Sequence, residues 1–293
     1  MTSITDLCDA DGFIMSRIED GGDGHVFLEI FDHLAYLIID GPTDVNACSP
    51  LMYKEMRDHL RRLRDDEDLW VAVLCGAGRR AFSVGGDLKK AMGWATLPVE
   101  QQLEHFWYPH NEERMLTSRI SSEVFAFEVY KPIIAAINGH CLGAAAIIAI
   151  GLADLRIAGE GSSIGFTEAR RGLAGAAGSS GIGRSIPRAW AMWMCLTGES
   201  LDARRGYELG LFNEVVPPGE VITKAAALGE RLCANSPVVL RVEKELLEKS
   251  YDLPRQDLLR LKWALSQVQK LGHDALEGQR AFQEKRAARF RGW

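Results

Sequence analysis

Two glycine turns each follow a short apolar run: Phe82-Ser83-Val84-Gly85-Gly86-Asp87-Leu88 and Asn138-Gly139-His140-Cys141-Leu142-Gly143-Ala144-Ala145. Glycine and alanine let a substrate approach the main chain closely, and amides at a helix N-terminus point outward and favour negative charge. Two such turns side by side would aim two N–H groups at one oxygen, forming an oxyanion hole. The same small residues also serve close helix packing, so either turn alone is weak evidence. His140 offers a ring to a polar substituent or packs as a structural histidine. Glu168, ahead of Ala169-Arg170-Arg171-Gly172, reads on its own as a solvated surface charge. Residues 90–118 carry Trp94, Pro98, Trp107, Tyr108 and Pro109. They read equally as a lid or pocket wall, or as an aromatic-rich surface stretch.

These residues need a scaffold, and the hydrophobic pattern supplies one. Residues 25–31 and 34–40 read as a strand hairpin with Asp32 and His33 at its turn. Ser49-Pro50 starts a helix, with Ser49 as N-cap and Pro50 at the first helical position; Met52, Met56, Leu60 and Leu63 form its apolar stripe. Residues 70–75 are a short strand buried on both faces. Residues 123–130 read as a helix continuing into a strand at 133–137, and short strands follow at 155–158 and 163–166. The glycine-rich residues 172–183 lead into a helix near Arg184. From Leu201 the pattern turns helical, with amphipathic segments at 221–234, 237–250 and 253–289. Strands alternating with helices indicate an α/β fold. Residues 1–24 read as a loose, polar arm, and a soft boundary falls near Pro217-Pro218.

Composition excludes several classes. The 293 residues are 47% hydrophobic and 25% charged, as in ordinary soluble globular proteins. Lys and Arg number 34 against 40 Asp and Glu, a net charge of −6, which leaves no basic excess for a phosphate backbone. Nucleic acid is therefore not an expected partner. The six cysteines form no CxxC pair and several lie in apolar runs, which suits a reducing compartment such as the cytoplasm. Residues 132–153 lack Asp, Glu, Lys and Arg. Asn138, Gly139, His140 and Gly143 interrupt them, so they read as a buried strand and helix rather than a membrane span.

Several blocks together resemble the crotonase superfamily, the enoyl-CoA hydratase/isomerase family, over roughly residues 25–291. They are Pro42-Thr43-Asp44-Val45-Asn46-Ala47, Ala81-Phe82-Ser83-Val84-Gly85-Gly86-Asp87-Leu88, and Lys131-Pro132-Ile133-Ile134-Ala135-Ala136-Ile137-Asn138-Gly139. Leu196-Thr197-Gly198-Glu199, the run from Gly210 to Val216, and Ala281-Phe282-Gln283-Glu284-Lys285-Arg286 complete the set. The resemblance implies a crotonase-like spiral of ββα units over 25–217. It also implies a C-terminal helical region over 218–293 that supports a homotrimer or hexamer. It implies an acyl-CoA substrate, with coenzyme A as part of that substrate, no permanently bound cofactor and no metal.

Carried over position by position, the resemblance makes the backbone amides of Gly86 and Ala144 the oxyanion donors and Glu168 the acid/base. Ala81, Val84, Asp87, Leu88, His140 and Gly175 become substrate-binding candidates. Phe282 and Lys285 become contacts to the CoA nucleotide, often across a subunit boundary. The family's other carboxylate is missing: its position reads Ile147, or Ile148 in the alternative register. Gly175 also replaces a family proline. One carboxylate suffices for proton transfer beside an enolate, which fits double-bond isomerisation and does not exclude hydration. The alternatives are a CoA-independent C–C bond (β-diketone) hydrolase and a non-catalytic crotonase-like scaffold.

Overall fold

A computed structural model describes residues 3–18, 22–88, 97–101, 103, 122–174, 178 and 180–293. The hairpin forms as read: β1 (His25–Phe31) pairs antiparallel with β2 (Leu34–Asp40), and Asp32 takes a positive φ of 54° at the turn. Helix α1 (Pro50–Asp65) follows, capped by Ser49, whose side chain accepts the Met52 N–H. Its four expected stripe residues are all buried.

The chain then repeats one motif. A strand enters a large sheet, the chain turns a corner, and a short strand enters a small sheet. The pairs are β3 (Val71–Gly76) with β4 (Ala81–Ser83), β5 (Ile133–Ile137) with β6 (His140–Leu142), and β7 (Leu155–Gly159) with β8 (Ser163–Gly165). Helix α2 (Ala144–Gly151) follows the second pair. Beyond the third lie α3 (Ile182–Ser185), α4 (Arg188–Thr197), β9 (Ser200–Asp202), α5 (Ala203–Glu208) and β10 (Glu214–Val216). The large sheet has the order β1-β2-β3-β5-β7-β10, parallel except for the first hairpin. The small sheet has the order β4-β6-β8-β9, with β9 antiparallel. This is the expected crotonase-like spiral of ββα units.

Alternate side chains of a strand point to opposite faces, and both faces of the large sheet are covered. Ala35, Leu37, Ile39, Ala72, Leu74, Ala135 and Ile137 pack with α1 and α2 in one core. Tyr36, Ile38, Val71, Val73, Ile134 and Ala136 pack in a second core with α6 (Val221–Cys233). Buried polar side chains stitch the corners, since unpaired backbone groups there would be costly. Asn46 Nδ2 donates to the carbonyls of Ala77 and Ala81, Asn138 Nδ2 to that of Gly78, and the Ser162 hydroxyl to that of Ile137.

Several sequence expectations are corrected. Residues 3–18 of the arm are not loose: Ile4, Leu7 and Ile14 join the second core, and the Asp40 carboxylate accepts the Ser16 hydroxyl and the Arg17 N–H. Helix α6 packs on the large sheet, so it belongs physically with the core despite lying past Pro218. Residues 123–130 are helical only through 125; Pro132 disfavours helical backbone in the residue before it. Leu201 lies in β9 rather than in a helix. After α7 (Pro237–Lys249), residues 253–289 form two helices, α8 (Arg255–Gln269) and α9 (His273–Glu284), with Gly272 as the N-cap of the second. No described helix is long and apolar enough to cross a membrane.

Candidate active site

The parallel pairing of β4, β6 and β8 brings three chain segments to one end of the small sheet: the turn after β4, the turn after β6, and the start of the helical turn Glu168–Arg171. At the first turn, the Cys48 N–H donates to the Gly85 carbonyl (2.7 Å) and the Asp87 N–H donates to the Cys48 carbonyl (2.9 Å). The Gly85 carbonyl and the Gly86 N–H belong to one trans peptide group, in which the two point opposite ways. The Gly86 N–H therefore points away from Cys48, and it has no acceptor among the described residues. At the second turn, the Gly143 N–H is used by the Gly165 carbonyl (2.9 Å). Ala144 is the first residue of α2, where helix geometry supplies no acceptor for its N–H.

Glycine at these turns is a geometric necessity. A side-chain carbon at Gly85 would come within 2.8 Å of the Ala144 nitrogen and 2.9 Å of the Leu142 oxygen, which shows how closely the two turns approach. Gly143 has φ 59° and ψ −127°, and a side-chain carbon there would lie 2.9 Å from Glu168 Oε1. The carboxylate thus lies directly over the turn that presents the Ala144 amide. Burial raises the Glu168 pKa above the ordinary carboxylate value, opposed by a backbone hydrogen bond and by Arg171. Ile147 and Ile148 are both buried in the core, so neither supplies a second carboxylate.

One functional candidate escaped the sequence reading. Tyr53, on α1, is only 1% exposed, and its Oη would lie 3.7 Å from a side-chain carbon at Gly86. Tyr53 Oη and Glu168 Oε2 are buried atoms without a hydrogen-bond partner among the described residues. A buried polar atom left unpaired costs about 1–3 kcal/mol. Burial pushes the phenol well up, and the Cys48 thiol and the Glu168 carboxylate add to the rise. The apolar stripe read from the sequence, Met52, Met56, Leu60 and Leu63, leaves Tyr53 out, and no sequence signal says that its hydroxyl lacks a partner.

The other expected site residues scatter. Ala81 is buried in β4, where its carbonyl accepts from Asn46, and the Val84 N–H donates to Val45. Asp87 and the exposed Leu88 continue from the Gly86 turn. His140 is exposed at the start of β6, sharing a 2.8 Å hydrogen bond with the Ser163 hydroxyl, a strand length from the turn at its other end. The geometry therefore does not join His140 to Glu168, nor does it make His140 a packed core residue. Gly175 lies outside the described residues, as does most of the aromatic segment 90–118. Phe282 is 86% exposed, and Lys285, also exposed, caps α9 in left-handed backbone.

A spiral of this topology, with two amides that lack an acceptor among the described residues beside a half-buried carboxylate, has the features of the crotonase class. Residues 29–292 match the family model described as "Enoyl-CoA hydratase/isomerase". The chain is 33% identical over 268 residues to "(E)-benzylidenesuccinyl-CoA hydratase" of Thauera aromatica, covering 91% of this chain and 99% of that protein. It is 29% identical to "Carnitinyl-CoA dehydratase" of Proteus mirabilis, covering 87% and 94%. Among solved structures, an enoyl-CoA hydratase from Mycobacterium tuberculosis H37Rv superposes with a TM-score of 0.77 at 30% identity, covering 92% and 99%. The chain belongs to the enoyl-CoA hydratase/isomerase family and is an enzyme of that family.

Proposed function

We propose that this enzyme adds water reversibly across the α,β double bond of an enoyl-CoA, with Glu168 as its acid/base and the Gly86 and Ala144 amides as its oxyanion hole. The carrying observation is the Glu168 carboxylate seated over Gly143, beside two backbone N–H groups that have no acceptor among the described residues. Charge that develops on the thioester oxygen meets fixed dipoles there, which stabilise it without reorganising. Relatives named as a hydratase and a dehydratase support the direction of the chemistry. Coenzyme A enters as part of the substrate, and no residue role in this reading requires a bound cofactor.

The active form is a homotrimer or hexamer in the same proposal. Helix α8 has no buried residue although it carries Leu259, Trp263 and Val268, and Phe282 and Lys285 are exposed. Six free thiols suit the reducing cytoplasm. A second reading, double-bond isomerisation, is favoured by Ile147 and Ile148, which leave one carboxylate to move the proton.

A panel running from crotonyl-CoA to cinnamoyl-CoA and β,γ-enoyl-CoAs separates the two. Hydration adds the mass of water and removes the enoyl absorbance, whereas isomerisation conserves mass. Absence of water addition on every member would refute the hydratase reading.

A further inference from the structure

Water addition needs its oxygen aimed at Cβ, and a single carboxylate leaves one of the water's hydrogens unheld. The structure offers a second polar atom from an unexpected place. Tyr53 comes from α1, not from α2, where the family resemblance places the missing carboxylate. Its hydroxyl lies beneath Gly86, while Glu168 lies over Gly143, and the two turns touch through Gly85 and the Ala144 amide. Two buried oxygens, each without a hydrogen-bond partner among the described residues, therefore flank one small region. Buried polar groups are ordinarily satisfied, so this pair marks the place of a polar guest.

We infer that Tyr53 is a catalytic residue whose hydroxyl, with Oε2 of Glu168, holds the water that adds to the enoyl thioester. The inference rests on the hydratase reading. Burial keeps the phenol neutral at physiological pH, so Tyr53 Oη accepts one O–H of the water while Glu168 accepts the other. The water's lone pair is thereby turned toward Cβ. As its oxygen bonds to Cβ, Glu168 takes the proton it faces, and the C=C electron pair moves onto the thioester oxygen between the two amides. The enolate then collapses and takes that proton from Glu168 at Cα. One water is added, and both side chains return to their starting states. Tyr53 thus fills the water-holding part of the absent carboxylate's work from a different helix.

The test is Tyr53→Phe on the full chain, assayed on the same enoyl-CoA panel. Removing an unpartnered buried oxygen leaves packing intact, so the melting temperature should equal or exceed that of the wild type. The expected result is a loss of roughly 10–100-fold in kcat for hydration, the scale of a lost orienting contact. Affinity for butyryl-CoA, which takes no water, should stay within about twofold by calorimetry, a change smaller than the tenfold that 1.4 kcal/mol represents. A kcat within twofold of wild type overturns the inference alone. So does a parallel fall in kcat, affinity and melting temperature, or failure to fold, because either makes the hydroxyl structural. A wild-type enzyme that hydrates no member of the panel overturns the hydratase reading, and this inference with it.

Discussion

Glu168 is a carboxylate whose charge is disfavoured where it sits, and that has separate consequences for turnover and for stability. As the proposed base it must act ionised, so the hydration rate should rise with pH through a midpoint above the ordinary Glu value of about 4.3. Glu168→Gln should cost roughly 10²-fold or more in kcat and abolish that acidic limb, while CoA-thioester binding by calorimetry persists. For stability the sign is opposite. The folded chain holds this proton more tightly than the unfolded chain, so the group's contribution is full below about 4.3 and is lost as pH rises through the folded value. Glu168→Gln should therefore melt at or above the wild-type temperature at pH 7, by calorimetric scan. Gly143→Ala should be harmful twice over. The backbone conformation, φ 59° and ψ −127°, costs a side-chain-bearing residue about 1–3 kcal/mol. The added carbon also displaces a carboxylate oxygen 2.9 Å away, so kcat should fall more than tenfold. At this scale the sequence was partly legible. Gly86, Ala144 and Glu168 were singled out through blocks of residues that resemble a family, and the structure brings their turns together, whereas Tyr53 was hidden, because hydrophobic pattern does not report hydrogen-bond partners.

Elements were read well where they are long and alternate cleanly. Both hairpin strands, the start of α1 and its cap, and β5 fall at the expected residues. Strands β4 and β6 hold three residues each, too few for a period of two to register, and they were read only as turns. The break between α8 and α9 was missed because Leu271-Gly272 sits in a run of otherwise helical residues. Past α9 the chain is held by side chains that no periodicity announces. Glu277 receives the Arg286 guanidinium (2.6 and 3.0 Å) and the Arg289 N–H (2.8 Å). Asp274 receives the Ser236 hydroxyl and the N–H groups of Arg291 and Gly292. The guanidinium, with the Arg289 N–H, lowers the Glu277 carboxyl to about 2. A depressed carboxyl lends stability above its unfolded value of about 4.3, and that support is lost as pH falls toward 2. Amide protection at Arg289, measured by hydrogen exchange against intrinsic rates, should therefore collapse between about pH 4 and 2. Arg286→Ala should reproduce the loss at pH 7.

For the whole molecule, the helices beyond the core leave large apolar side chains exposed. Trp263 is 66% and Phe282 86% exposed. An apolar surface of this kind marks an interaction site, and closed symmetric assembly would cover it without open-ended growth. The wild type should sediment as a trimer or hexamer at micromolar concentration. If Phe282 and Lys285 complete a neighbouring subunit's site, as proposed, Trp263→Glu should shift it toward monomer and weaken acyl-CoA binding at least tenfold, about 1.4 kcal/mol. A different consequence follows from the order of the large sheet, β1-β2-β3-β5-β7-β10, which repeats the order of the chain. During synthesis from the ribosome each new strand can add to an edge that already exists. The helix that covers most of the outer face begins only at Val221, so a nascent chain holds a nearly complete sheet whose Tyr36, Ile38, Val71, Val73 and Ile134 have only Ile4, Leu7 and Ile14 of the arm for cover until α6 emerges. Exposed apolar sheet of this kind is prone to aggregate. Interrupted translation shortly before Val221 would therefore leave a sticky, half-roofed product, a natural client for a ribosome-associated chaperone.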